Sequence, residues 1–245
     1  MTALQSSPRT AVVWRTLSAE LARQGRPPVP VVDAGGGTGG FAVPLAQAGH
    51  DVTVVDASPD ALAGLTRRAA EAAVAERIHA LQGDVDALPD LVPAGSTGLV
   101  LCHNLLEMVD DPAPVLAAIA AILRPGGAVS VLVANQPAAV LARAMHGQFD
   151  AAVGLLAGAA GARSGGRGEA RRRYDSVTAS QLLTQAGLTV EAVQGVRVLA
   201  DLIPSAAADH DPANLLALEL ALAGRSPYRD IAAQLHLLAR RPGQP

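Results

Sequence analysis

The chain has 245 residues, 50% hydrophobic and 17% charged, with a net charge of -3 and only 2% aromatic residues. That composition excludes wholesale disorder, gives no global attraction to nucleic acid or membrane, and leaves the core to Ala, Leu and Val. All 19 Lys/Arg positions are arginine, and the single Cys102 excludes an internal disulfide.

The opening stretch MTALQSSPRTAVVW has no basic segment followed by an apolar one, and no run reaches the roughly 20 apolar residues of a membrane span. A cytoplasmic protein is therefore expected. Strands are predicted near 29–33, 51–56, 77–82, 97–103 and 127–134, with Ala- and Leu-rich helical stretches between them. One helix is expected over 38–48, stopped by Gly49. The next opens with Ser58 as N-cap and Pro59 at the first helical position, and Asp111 and Pro112 repeat that pairing before a helix that RPGG ends. Alternation of this kind predicts an α/β fold around a mostly parallel sheet with helices on both faces.

After residue 135 the rhythm changes. NQPAAVLARAMHGQFDAAVGLLAGAA reads as helical, and GARSGGRGEARRRYDS is a loop rich in Gly and Arg carrying Arg163, Arg167, Arg171, Arg172 and Arg173. A helix at TASQLLTQAG, a strand through LTVEAVQGVRVLADL, a helix at PANLLALELALAG and a final strand or helix at AAQLHLLARRP follow. One domain is expected: 1–134 as a cofactor-binding half, 135–175 as an insertion, and 176–245 as the rest of the sheet and the substrate side. Cys102, inside the apolar run GLVLCH, reads as a small buried thiol, and the six His show no metal-ligand spacing.

The chemistry concentrates in VVDAGGGTGG. A Gly-rich turn between strand and helix lets a ligand approach the backbone, and Gly35, Gly37 and Gly40 satisfy G-x-G-x-x-G, a pattern common to several adenosine-bearing cofactors. Asp56, followed by Ala57, closes the second strand, where a carboxylate can accept both ribose hydroxyls. Asp33 directly before the glycines would repel a pyrophosphate but suits an amino group or a sulfonium. Asp84, after the third strand, is placed to accept from an adenine amino group, with Val85 offering its backbone amide. Singly, each acid also fits a plainer role: Asp33 as a helix cap, Asp56 as a turn residue, Asp84 and Asp86 as helix-start acids. An NAD-dependent oxidoreductase of the short-chain kind would need a Tyr and Lys pair, and the chain has no Lys.

With LRPGGAVSVLV at the fifth strand, these features resemble the class I S-adenosylmethionine-dependent methyltransferases over residues 29–134, which implies a Rossmann-like fold and S-adenosylmethionine as cofactor. LVLCHNLLEMVDDPAPVLAAIAAILRPGGAVSVLVANQPAAVLARAMHGQFDAA, LLTQAGLTV, GVRVLADLIP and LLALELALAGRSPYRDIAAQLHLLARRP are similar to the bacterial tRNA 5-carboxymethoxyuridine methyltransferase family. That resemblance implies Arg9 at the cofactor carboxylate, Gly35, Gly36 and Gly37 along its methionine part, Asp56 and Ala57 at the ribose, Asp84 and Val85 at the adenine, and His103 near the methyl group. It implies transfer to the carboxylate of a modified wobble uridine. Arg197 and Tyr174 then serve as catalytic groups, Asn135, Arg171, Arg172 and Arg173 bind substrate, and Tyr174 is also available to stack on a base. Other readings are a small-molecule carboxylate or hydroxyl O-methyltransferase, and a non-catalytic protein that binds S-adenosylmethionine or RNA.

Overall fold

The computed structural model describes residues 7–158, 160–161, 163–164 and 171–243; Arg167 and the side chain of Arg163 lie outside this description. In chain order the elements are α1 (Ala11–Gln24), β1 (Pro30–Ala34), α2 (Ala42–Gln47), β2 (Asp51–Asp56), α3 (Pro59–Glu71), β3 (Ile78–Gln82), α4 (Leu88–Leu91), β4 (Thr97–His103) and α5 (Pro112–Ile122). They continue with β5 (Leu123–Ala134), α6 (Gln136–Met145), α7 (Phe149–Ala157), β6 (Arg163–Ser164), β7 (Arg171–Arg172), α8 (Ser176–Gln185), β8 (Thr189–Val196), α9 (Ser205–His210), α10 (Pro212–Leu222) and β9 (Gln234–Arg240).

Seven strands form one sheet in the order β3-β2-β1-β4-β5-β9-β8, and β6 pairs with β7 separately. Val31 is in parallel register with Val52 on β2 and Leu99 on β4, and Val54 on β2 with Ala80 on β3. β9 runs against β5, because Gly126 donates to the Arg241 carbonyl at one end while Asn135 donates to the Ala233 carbonyl at the other. The fold is Rossmann-like and mostly parallel. Strands β1 and β4 are buried without alternation, as strands covered on both faces are, with Val31, Val32, Leu99, Val100 and Leu101 in the core.

Two compact units make up the chain, each drawn from three stretches. One comprises the chain up to Ser18, Leu132–Gln181 and Ala192–Leu237; the other comprises Ala19–Val131, Leu182–Glu191 and the chain from Leu238. Their boundaries run inside α1, β5, α8, β8 and β9. No described helix is long and apolar enough to cross a membrane.

Local signals hold at the caps. The Ser58 hydroxyl accepts from the Ala61 N–H (3.2 Å) and Asp111 accepts from the Ala113 N–H (3.0 Å), each with proline opening the helix. The helix expected from residue 38 starts only at Ala42, because Gly35, Gly37 and Gly39 hold φ of +71°, +55° and +80°, which a right-handed helix cannot contain. The strand expected through residue 202 stops at Val196, where Arg197 turns to φ +58°. The last segment resolves as a strand.

Candidate functional site

At the carboxyl ends of β1, β2 and β4 the second unit gathers the glycine turn, Asp33, Asp56 and His103. Topology causes this: parallel strands deliver their last residues to one edge, and the turn leaves β1 there. The Gly35 N–H donates to the Val55 carbonyl (2.8 Å), and the Gly37 N–H donates to Asp56 Oδ2 (2.9 Å). Asp56 Oδ1 accepts from the Ser58 N–H (2.9 Å), so the carboxylate is oriented with a lone pair left on each oxygen. A Cβ on Gly36 would stand 2.6 Å from the Asp33 carboxyl, whereas one on Gly37 or Gly40 would meet nothing within 4 Å. Gly36 thus lets the turn close over Asp33, and Gly37 and Gly40 border open space.

Asp33 is buried and caps no helix. Burial, and then the charge of Asp56, push its pKa up to about 7, so near neutrality the free protein holds it partly protonated. A cation delivered beside it would reverse that. Asp84 is exposed, makes no side-chain cap and precedes the half-buried Val85, while Ala57 is exposed beside Asp56. His103 Nε2 lies 2.8 Å from Ser130 Oγ, and the Phe41 ring meets the imidazole edge-on with centroids 4.6 Å apart. Cys102 is buried, and desolvation followed by the charges of Glu107 and Asp33 pushes its thiol further from ionisation, as for a packed core thiol.

The remaining expected residues belong to the first unit. Arg9 Nη1 pairs with Asp201 Oδ1 (2.8 Å), and Arg197 Nη1 with Asp201 Oδ2 (3.3 Å), so one carboxylate holds two guanidiniums. Ser7, Arg9, Asp201, Ile203 and Asp209 line a cavity of about 380 Å³ there. Three expectations change. Tyr174 is fully buried, with its backbone bonded to Ala134 and Gln136, so it has no ring face on which a base can stack. Asn135, expected at the acceptor, is buried and donates to the carbonyls of Asp230 (2.9 Å) and Ala232 (2.8 Å), which commits its amide nitrogen to holding that turn. Among the described residues of the arginine run, Arg171 is exposed and Arg172 and Arg173 are half-buried; Arg172 Nη1 donates to the Gly161 carbonyl (2.7 Å), and the Arg173 carbonyl accepts from the Gly161 N–H (2.7 Å).

Several contributing residues escaped sequence reasoning. Asp201 is joined to Arg9 only by the fold, and Phe41 and Ser130 carry no sign of a role until the fold places them around His103. Arg68 on α3 donates to the Thr38 carbonyl (3.0 Å) and braces the glycine turn.

A family model described as a methyltransferase domain matches residues 31–127. The chain is 29% identical, over 96% of its length and 88% of the relative's, to the tRNA 5-carboxymethoxyuridine methyltransferase of Escherichia coli K12. It is 31% identical, over 51% of its length and 52% of the relative's, to the ubiquinone biosynthesis O-methyltransferase of Xanthomonas campestris pv. campestris strain B100. Its fold is similar to the crystal structure of an S-adenosylmethionine-dependent methyltransferase from Mesorhizobium loti, with a TM-score of 0.62, 23% identity and coverage of 96% of this chain and all of that one.

Proposed function

We propose that this chain, which belongs to the class I S-adenosylmethionine-dependent methyltransferases, methylates the carboxylate of 5-carboxymethoxyuridine in tRNA to the methyl ester. One observation carries the reading. Similarity to the tRNA enzyme runs through 96% of the chain, whereas similarity to the ubiquinone-pathway enzyme covers about half of it.

S-Adenosylmethionine supplies, when bound, a methyl group on a sulfonium sulfur, which departs as a neutral thioether once an acceptor oxygen takes the methyl. The residues present suit it. Asp56, with Ala57 beside it, would take the ribose hydroxyls, Asp84 and the Val85 amide the adenine, and Gly35 to Gly37 the methionine chain. Arg9 would take the carboxylate and Asp33 the positive charge, while His103 would lie toward the methyl group. A buried acid with a pKa raised to about 7 is fitted to a cation and not to a pyrophosphate.

An acceptor carboxylate of ordinary pKa is already ionised at neutral pH, so no general base is needed and the protein's task is positioning. Arg197 would orient that carboxylate by a paired contact, and the exposed Arg171 would neutralise an RNA phosphate. The exposed Arg171 gives the test: Arg171→Ala raises the KM for tRNA about threefold or more, lowers the salt dependence of KM by about one charge and leaves kcat unchanged. A KM for tRNA that ignores both salt and this substitution contradicts the RNA reading.

The Asp33 role makes a pH prediction. Cation binding requires the carboxylate, and the free protein holds the acid below about pH 7, so affinity for S-adenosylmethionine rises by about eightfold from pH 6 to pH 7.5 and then levels. In Asp33→Asn that slope disappears. Calorimetry across this range checks it, and a parallel pH profile in both proteins would remove Asp33 from the site.

A second reading has its own observation. Gln136, Pro137, Val140, Leu141, Leu156 and Ile231 line a largely apolar cavity of about 540 Å³, a size and lining suited to a small molecule with an apolar body. Under that reading Leu141→Arg abolishes transfer to the small acceptor; under the tRNA reading it leaves tRNA methylation intact.

A further inference from the structure

In the sequence PANLLALELAL, Glu219 is the one acid of a helix whose only other polar residue is Asn214, and the structure buries it completely. Its carboxylate accepts the backbone N–H groups of three successive residues: Val198 on Oε2 (2.9 Å), and Leu199 (2.8 Å) and Ala200 (2.7 Å) on Oε1. Successive amides converging on one anion form a nest, and here a side chain of the same protein fills it. Those three residues lie between Arg197 and Asp201. Arg197 enters the segment at φ +58°, a left-handed conformation that a side-chain-bearing residue keeps only where its surroundings enforce it, and its carbonyl accepts from the Ala233 N–H (3.2 Å). Arg197 Nε is buried and without a hydrogen-bond partner among the described residues.

We infer that Glu219 is a positioning residue for carboxylate recognition. As the buried anion around which residues 198–200 wrap, it fixes Arg197 at one end of the segment and Asp201 at the other, and through Asp201 it fixes Arg9. Two guanidiniums sharing one carboxylate keep an excess positive charge, and pinning the shared acid from below preorganises both for anionic ligands. This rests on the reading that Arg9 holds the cofactor carboxylate. A purely architectural Glu219 would set only stability. The positioning role makes its effect on ligand affinity depend on Arg9.

The test is the affinity for S-adenosylhomocysteine, by calorimetry, of the wild type, Arg9→Ala, Glu219→Gln and the double variant, each first checked for folding by circular dichroism. Glutamine keeps the size of the side chain but turns one acceptor into a donor facing backbone N–H groups. Expected are a Kd raised about tenfold in Arg9→Ala and about fivefold or more in Glu219→Gln, with the double variant no weaker than Arg9→Ala alone. Glu219→Gln binding with the wild-type Kd, or the two losses multiplying, overturns the positioning role while the clamp reading stands. An unchanged Kd in Arg9→Ala overturns the clamp reading and the inference with it. Should Glu219→Gln not fold, Glu219→Asp, which keeps the charge but withdraws it by one methylene, takes its place with the same outcomes.

Discussion

Asp56→Ala reduces S-adenosylhomocysteine affinity by at least a hundredfold, to below what calorimetry detects, while the far-ultraviolet circular dichroism stays that of the wild type. Two lost hydrogen bonds to a charged acceptor, at about 1.5 to 3 kcal/mol each, account for that magnitude. The geometry makes the loss specific. Asp56 Oδ2 is held by the Gly37 N–H and Oδ1 by the Ser58 N–H, so the carboxylate is aimed before any ligand arrives and pays little entropy on binding. Removing it also frees the Gly37 amide, loosening the turn at the residue that borders open space, and takes a like charge away from Asp33. Asp56→Asn, which keeps one acceptor oxygen, falls between the two. Unchanged affinity in Asp56→Ala would remove the ribose assignment.

The second large effect concerns stability. Glu20 is buried beneath Arg240, and burial alone would make its ionised form costly. Hydrogen bonds from Arg23 (2.9 and 2.8 Å), Arg240 (3.0 and 2.9 Å) and Gln24 (2.7 Å) outweigh that cost and hold its pKa at about 2. Arg240 in turn also binds Glu191 and the Gly126 carbonyl (2.9 Å). A carboxylate with a depressed folded-state pKa adds stability that is complete above its ordinary value and is lost as pH falls toward the folded one. For Glu20 that window runs from about pH 4.5 down to pH 2 and amounts to about 3 kcal/mol. Glu20→Gln is therefore less stable than the wild type by about 3 kcal/mol at pH 7, and the difference shrinks toward pH 2. Arg240→Met costs a similar amount, because it leaves a buried carboxylate short of partners, and the double variant loses less than the sum. Urea unfolding at pH 7 and pH 3 checks all three, and a Glu20→Gln deficit that is the same at both values would show that Glu20 does not titrate as described.

What was legible in the sequence was local. β2 and β4 coincide with their predicted runs, β1 and β3 begin within a residue of theirs, and the Ser58–Pro59 and Asp111–Pro112 starts are where the N-cap logic placed them, because each of those signals is contained in a few residues. The acids at the strand ends were legible for the same reason: a parallel strand that ends in Asp brings it to the edge where the glycine turn sits. The features that failed to show depend on distant partners. Glu20 meets Arg240 from 220 positions away, and Glu219 meets Val198 from 21 away. The lone acid in LLALELAL was the available sign that something buried must satisfy it. Tyr174 misled because a tyrosine beside three arginines reads as surface, whereas its backbone joins Ala134 and Gln136 and draws the ring into the interior. The end of β8 was hidden because nothing in GVRVLAD announces a left-handed arginine; the turn is imposed by Glu219.

The most direct measurement is methyl transfer from labelled S-adenosylmethionine to tRNA that carries unmethylated 5-carboxymethoxyuridine, followed by nucleoside mass spectrometry, with small aromatic and aliphatic carboxylic acids offered in parallel. Expected is a gain of one methyl group on that nucleoside, as an ester that mild alkali removes, and no label on the small acids. Label on a small acid with the tRNA untouched would contradict it and hand the acceptor role to the apolar cavity beside α6.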